Sequence, residues 1–588
     1  MSGPSTLDVL ERLLHAEHHA ILLGHRDLMT LPLDERVERG ESLCGLRFLG
    51  ETRGRIRLGC RDNLAKFRPG DALRLGYVEP LEGGHGLGVV YESFDDASST
   101  LIVSRDPFRS DGSFDAGAPL QLDPEIQSLT GLALDALERV RRGRSVAARF
   151  ARDVLDGVWT RECDATRRSD AAARAEACRP PFDPSQREAL MEALTGEPLT
   201  LVQGPPGTGK TYVLARIVSA LASRGERVLV VAYTHRAVNH ALRTVSAVDP
   251  GLPVVKAGKT TGADDLRGSP VALVPSLRKL PALDGAKRVV GATLFSLQSA
   301  WEAGAFDRVV LDEAAQVPVA YGACALLCAP RAILVGDHRQ LGPIVQGRHA
   351  DPLASRSLFE HAIASARPAV LRTTYRMNAG LCAFPSEVFY EGTLHPSPRS
   401  APALFAAAPG GSYDALFDPL CPAVLALVPH EGHRTRCEPE ARIVAGIVLD
   451  RIVRQGGDPR GLAVVAPYRA QLRLIRTLVR RGLAEAGARG PLPVIDTVER
   501  IQGQERDMVV VSMTASDPDH LAGDAGSFFY SASRLNVTLT RARTKLIIVA
   551  SPLAFEALPR TFEGMRDVER FRRLRRALPA IEVAATTP

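Results

Sequence analysis

Lysine is scarce in this chain. Only Lys66, Lys210, Lys256, Lys259, Lys279, Lys287 and Lys545 occur among its 73 lysines and arginines. Genomic base composition accounts for such a bias, but it also puts most positive charge on guanidinium groups, which bind phosphate bidentately. Paired cysteines are missing too: the nine cysteines are scattered and none forms a Cys-x-x-Cys pair. That excludes the usual ligand spacing of a zinc or iron–sulfur module and fits a reducing compartment. No apolar run approaches the roughly 20 residues that span a bilayer. Met1–Asp8 offers no basic region followed by an apolar core, so no export signal and no membrane partner are expected, and cytoplasmic residence is the default. The net charge of +6 is compatible with a polyanionic partner without demanding one.

With 588 residues the chain is too long for one core, so several domains are expected. Residues 1–40 read as stalk helices, with Leu7, Leu10, Leu13, Leu14, Ile21 and Leu22 near a 3.6-residue period. Neighbouring His15, His18 and His19 read as a solvated helix face. Residues 41–110 change to five short strand-like runs, Leu43–Leu49, Arg55–Cys60, Ala72–Tyr77, Leu87–Tyr91 and Leu101–Ser104, which suggest a small β-barrel. Residues 111–180 return to stalk helices. They carry a basic run at Arg139, Arg141, Arg142, Arg144, Arg149 and Arg152 and end at Pro180-Pro181, a break in the chain. Apolar runs then alternate with helical patterns, which implies parallel α/β sheets. One domain is expected over 181–358 and a second over 359–560. A basic helix and tail, 561–588, follow. The Pro-, Ala- and Gly-rich stretch from Pro396 to Pro419 reads as a surface loop.

Within the first α/β region, Gly204-Pro205-Pro206-Gly207-Thr208-Gly209-Lys210-Thr211 follows the apolar run Leu199–Val202 and precedes a helical pattern. This is the strand–loop–helix context of a phosphate-binding loop. Glycines let the backbone wrap phosphate oxygens, and amides at the helix start donate to them. Lys210 is expected to reach the β- and γ-phosphates of ATP and Thr211 to ligate Mg²⁺. Val309–Ala315 supplies the second half of such a site: an apolar strand ending in Asp312, for the metal, and Glu313, for the attacking water. The run Ile333–Pro343 again ends an apolar strand in polar groups, with Gln340 placed to sense the γ-phosphate.

This series resembles superfamily 1 helicases, in particular the branch that includes the nonsense-mediated-decay RNA helicase and its DNA-acting relatives. Phe182–Ala189 resembles the adenine-reading segment, with Gln186 on the base. Val228–Asn239 and Val289–Phe295 resemble polymer-contacting strands and loops, with Thr234, His235, Asn239 and Thr293 at the polymer. Thr374-Tyr375-Arg376-Met377 resembles the motif whose tyrosine stacks on the base and whose arginine contacts the γ-phosphate. Ala466–Gln471, Asp496–Glu505 and Arg534–Arg543 match further motifs. They imply nucleic-acid contacts at Pro467, Tyr468 and Thr497, a nucleotide contact at Glu505 and a second arginine finger at Arg541. The zinc-rich module of the nonsense-decay member is absent, no nuclease-like carboxylate cluster is visible, and residues 260–287 are all that remains of a helical insertion.

The resemblance implies two tandem RecA-like P-loop domains behind a helical stalk and small β-barrel. ATP and Mg²⁺ would serve a monomeric motor that moves 5′ to 3′ on single-stranded DNA or RNA. A nucleotide-driven clamp that does not unwind remains an alternative. A ring-forming ATPase is disfavoured, because both arginines are already present in this chain.

Overall fold

The computed structural model describes residues 5–584, apart from 62, 64, 68, 79–85, 96–97, 106–116, 127, 160–164, 178–181, 259–263, 281–287, 302–304 and 489. Pro180-Pro181, Lys259 and Lys287 therefore lie outside the described residues, as do parts of the 260–287 segment. The chain divides into two compact units. One comprises Met1–Gly204, Gly209–His338 and Gly342–Leu371; the other comprises Pro205–Thr208, Arg339–Leu341 and Arg372–Pro588.

The first unit opens with helix Thr6–Thr30, capped by a reciprocal Ser5–Asp8 box, and the short helix Leu33–Glu38. The two are separated at Leu31-Pro32, because proline cannot continue a helical hydrogen-bond ladder. Six strands follow: β1 (Leu43–Thr52), β2 (Arg55–Gly59), β3 (Ala72–Tyr77), β4 (Leu87–Asp95), β5 (Thr100–Arg105) and β6 (Leu120–Pro124). They close into a barrel in the order β1-β2-β5-β4-β3-β6. Alternate residues fill it, among them Ile56, Leu58, Leu73, Leu75, Leu101 and Val103. Where β1 shifts register against β2, between Phe48 and Gly50, Gly50 adopts φ 135°, a bulge conformation open to glycine. The closing strand β6 falls in a stretch expected to belong to the stalk. Its signal was the alternation Leu120, Leu122, too short to outweigh the helical pattern after it.

Helices Thr130–Arg142 and Val146–Asp156 return from the barrel. Most of the basic run is engaged internally. Arg141 pairs with Asp8, Glu11 and Glu138, Arg139 with Asp135, and Arg152 donates to the carbonyls of Val140, Arg141 and Gly143.

Eight parallel strands then form the main sheet: β7 (Leu199–Gln203), β8 (Val228–Ala232), β9 (Val254–Ala257), β10 (Ala272–Val274), β11 (Val289–Thr293), β12 (Arg308–Leu311), β13 (Ala332–Gly336) and β14 (Ala369–Val370). Their order is β10-β9-β11-β8-β12-β13-β7-β14. A strand covered on both faces reads as an unbroken apolar run, as in Val228–Ala232. Leu229, Val231, Val309 and Leu311 enter a core shared with the stalk helices and with helix Val319–Leu326. Val228, Val230, Val310 and Ile333 point the other way, to helices Pro184–Leu194, Lys210–Ser223 and His235–Val248.

In the second unit, β15 (Thr373–Thr374) pairs with β16 (His395–Pro396), and six parallel strands form a sheet. These are β17 (Ala423–Leu427), β18 (Leu462–Val465), β19 (Val494–Asp496), β20 (Arg506–Ser512), β21 (Ala542–Ala550) and β22 (Ala580–Glu582), in the order β19-β18-β20-β21-β17-β22. Two expectations change here. The Pro396–Pro419 stretch is anchored rather than superficial: Phe405 and Phe417 are buried and stacked at 6.1 Å, and Arg451 lies 4.6 Å over Phe405. The tail does more than form a basic helix. Helix Phe562–Ala577 buries Val568, Phe571 and Leu574, and the chain then adds β22 to the sheet edge beside β17.

Candidate functional site

In a parallel sheet all carboxyl ends lie on one edge, where open α/β folds bind ligands. Along this edge of the first unit, neighbouring strands end in the phosphate loop (β7), Asp337 (β13), Asp312 (β12), Tyr233 and Thr234 (β8), and Thr293 (β11).

The loop leaves β7 with Gly204 N–H donating to the carbonyl of Gly336 at 3.0 Å. Gly207 and Gly209 take φ of 73° and 79°, so the loop curls in a conformation that other residues resist. Gly209 caps helix Lys210–Ser223. The Lys210 ammonium folds back to the Gly204 carbonyl at 2.6 Å, and Thr211 is half-buried on the first turn. Gln186 is buried next to the loop: a Cβ on Gly209 would lie 3.1 Å from its side-chain nitrogen. In the second unit, Gly207 O accepts the Tyr375 N–H at 2.8 Å, and a Cβ on Gly207 would come within 2.6 Å of the Thr374 hydroxyl. Thr208 Oγ1 donates to the Pro205 carbonyl at 2.7 Å, and Pro206 is buried.

Asp312 is buried and accepts the Glu313 N–H at 3.0 Å. Burial, then the charge of Glu313, pushes its carboxyl up to about 7. A buried, electrostatically crowded carboxylate next to a hydroxyl-bearing loop is a hard-oxygen donor set of the kind Mg²⁺ takes. Glu313 itself sits at φ 51°, in the left-handed region, and accepts from Gln316 at 3.3 Å.

Among second-unit residues, Arg376 donates through Nε to Glu505 at 2.7 Å and through Nη1 to the Thr540 carbonyl at 2.8 Å. Arg543 also pairs with Glu505. Burial alone would raise the Glu505 carboxyl, but the two arginines hold it below the ordinary range. Glu505, expected at the nucleotide, is thus placed where it orients Arg376. Arg541 is buried, with Nε on the Val537 carbonyl at 2.9 Å and Nη2 on Gln340 Oε1 at 3.2 Å. Two residues expected at the γ-phosphate therefore touch. Tyr375 keeps an exposed ring.

The expected polymer contacts divide. Thr234 is exposed, but its hydroxyl caps helix His235–Val248. His235 and Pro467 are half-buried. Thr293 and Thr497 are buried and Asn239 is fully enclosed. The Tyr468 hydroxyl bonds His520 Nε2 at 3.2 Å, and burial pushes its phenol up to about 12. A feature not singled out from sequence stands at the same edge: Tyr233 and the exposed Phe295 pair at 6.0 Å, each just past the end of β8 or β11. Their signal was an aromatic within two residues of the end of an apolar strand, twice.

Two family models, each described as AAA domain, match residues 181–376 and 354–553. The mouse (Mus musculus) DNA replication ATP-dependent helicase/nuclease DNA2 is 30% identical over 418 residues, covering 64% of this chain and 37% of the relative. The Schizosaccharomyces pombe DNA polymerase alpha-associated DNA helicase A is 27% identical over 432 residues, covering 62% and 63%. Both models describe AAA domains, and both relatives are named as helicases. Neither relative singles out the nonsense-mediated-decay branch. The chain spans little more than a third of the length of the helicase/nuclease relative. A solved structure of Arterivirus nonstructural protein 10 (helicase) is 15% identical with a TM-score of 0.38, covering 88% of this chain and 80% of that one. Among the described residues no helix is long and apolar enough to cross a membrane.

Proposed function

We propose that this chain is an ATP-dependent helicase or translocase that moves 5′ to 3′ along single-stranded nucleic acid as a monomer. The observation that carries the reading is one sheet edge. It holds a phosphate-binding loop, the buried Asp312 with Glu313 beside it and, past the ends of the adjacent strands β8 and β11, Tyr233 paired with the exposed Phe295. Nucleotide and polymer would then act on the same set of strand ends, so a change at one is felt at the other.

Bound ATP with Mg²⁺ supplies a phosphoryl group that can pass to water. Lys210 and the loop amides would neutralise and orient its phosphates, and Thr211 and Asp312 would hold the metal. Glu313 would take the proton of the attacking water, and Gln186 would read the base. Arg376 and Arg541 as arginine fingers rest on the sequence resemblance; their ordered hydrogen bonds support preorganised guanidinium groups. Such groups are worth on the order of 10³–10⁵ in rate. Bases would stack on Phe295, and arginines would meet phosphates, contacts that suit single strands of any sequence. The names of the relatives favour DNA as the polymer. Affinity with the nonsense-mediated-decay branch rests on the sequence motifs, Thr374–Met377 foremost.

The test is ATPase activity with and without single-stranded DNA or RNA, followed by strand displacement on 5′- and 3′-tailed duplexes. Polymer-stimulated turnover and displacement from a 5′ tail are expected. Stimulation without displacement would assign a clamp, and no stimulation would overturn the motor. Lys210→Ala should abolish turnover.

A further inference from the structure

A second cluster of ligating side chains is built into the second unit. His430, His433 and Cys437 lie on the segment between β17 and helix Glu438–Leu449, and one ligand atom from each falls within 4.8 Å of the others. The segment is fixed at several points. His430 Nδ1 is 2.9 Å from Ser516 Oγ, and its carbonyl accepts the Ser551 hydroxyl at 2.7 Å. The His433 N–H donates to Ser516 Oγ at 3.2 Å, and its carbonyl accepts the Ser516 N–H at 2.8 Å. Gln471 accepts the Cys437 N–H at 2.8 Å and donates to its carbonyl at 3.0 Å.

Two buried atoms beside this cluster, His430 Nε2 and Glu440 Oε1, have no hydrogen-bond partner among the described residues. They stand 3.7 Å apart on side chains only 3% and 0% exposed. That separation is too long for a hydrogen bond, and a buried polar atom left without a partner is destabilising. The carboxylate cannot easily turn to find a partner, since its other oxygen accepts from the Ser512 hydroxyl at 2.6 Å and from the Thr514 N–H. The imidazole is likewise held by Ser516 at Nδ1. A ring nitrogen fixed by an outer hydrogen bond, with the other nitrogen turned inward, is the arrangement that presents histidine to a metal.

We propose that His430, His433 and Cys437 bind a zinc ion, with the Glu440 carboxylate beside His430 as an outer partner. Two imidazoles and one thiolate, with a water in the fourth position, form a donor set suited to a borderline-soft, tetrahedral ion, and the thiolate excludes Mg²⁺ or Ca²⁺ as the natural occupant. Thiolate and carboxylate together balance the 2+ charge; the thiol proton leaves to solvent as the Zn–S bond forms. The ion ties the loop after β17 to the start of the next helix, a structural clip independent of the nucleotide site.

The test uses the purified full chain. After incubation with Zn²⁺ and desalting, metal analysis should give one zinc per chain, and substitution with Co²⁺ should give a thiolate-to-cobalt charge-transfer band. His433→Ala and Cys437→Ser should each lose the zinc, Cys437→Ser should lose the band, and Glu440→Gln should weaken binding by roughly 10–100-fold. Wild-type protein that retains no zinc and gives no cobalt band would overturn the proposal, a result that needs no variant to fold. So would a Cys437→Ser protein that keeps both.

Discussion

Glu313 occupies the left-handed backbone region at φ 51°, a conformation that non-glycine residues hold at a cost of order 1–3 kcal/mol and that clusters at functional sites. It places the carboxylate directly after the buried Asp312. Glu313→Gln keeps the shape and removes the base; kcat for ATP should fall by about 10²–10⁴ while nucleotide binding persists, as steady-state ATPase and a binding titration would show. An unchanged kcat would assign the base elsewhere. Lys256 has no such role. It is 1% exposed, its ammonium has no hydrogen-bond partner among the described residues, and burial pulls it down to about 8. An unfolded lysine titrates near 10.5, so the unfolded chain binds more protons between pH 8 and 10.5, and stability from this group rises with pH across that window. Lys256→Met should stabilise the protein at pH 7 by on the order of 1–3 kcal/mol. Melting curves should show that gain shrinking towards pH 10.5.

Single elements depend on contacts far apart in sequence. The barrel's closing strand β6 is tied to helix Leu33–Glu38 by a buried pair between Arg36 and Asp123, and Ser42 Oγ donates to Asp123 at 2.6 Å. Asp123→Ala leaves a buried guanidinium unpaired and should lower stability by about 3–5 kcal/mol; Arg36→Met with Asp123→Leu should recover most of it, by urea titration. At the strand ends, Phe295 is 46% exposed against Tyr233. Phe295→Ala should weaken single-strand binding by about 1–3 kcal/mol in fluorescence anisotropy, with basal ATPase little changed. Strong periodic elements such as Val228–Ala232 and Lys210–Ser223 were legible in the sequence because their patterns run for several residues on one period. β6, β22 and the short helix Asp414–Phe417 were not: each is only a few residues long and is stabilised by a neighbour that arrives from elsewhere in the chain.

The whole molecule has separate cores in its two units, so unfolding should depart from a two-state transition. Lys256→Met should shift the transition of the first unit, and a zinc chelator that of the second; coincident shifts in both would show one cooperative block. By itself the sequence determined the α/β class, the phosphate loop and its carboxylate pair, because these depend on residues a few positions apart and on a strand–loop–helix context that one segment supplies. Tertiary structure decided the rest. It set Glu505 against Arg376 and Gln340 against Arg541, enclosed Asn239, and brought Glu440 beside His430. Such placements depend on which strand ends become neighbours, and in a parallel sheet that order follows from packing helices on both faces rather than from order along the chain.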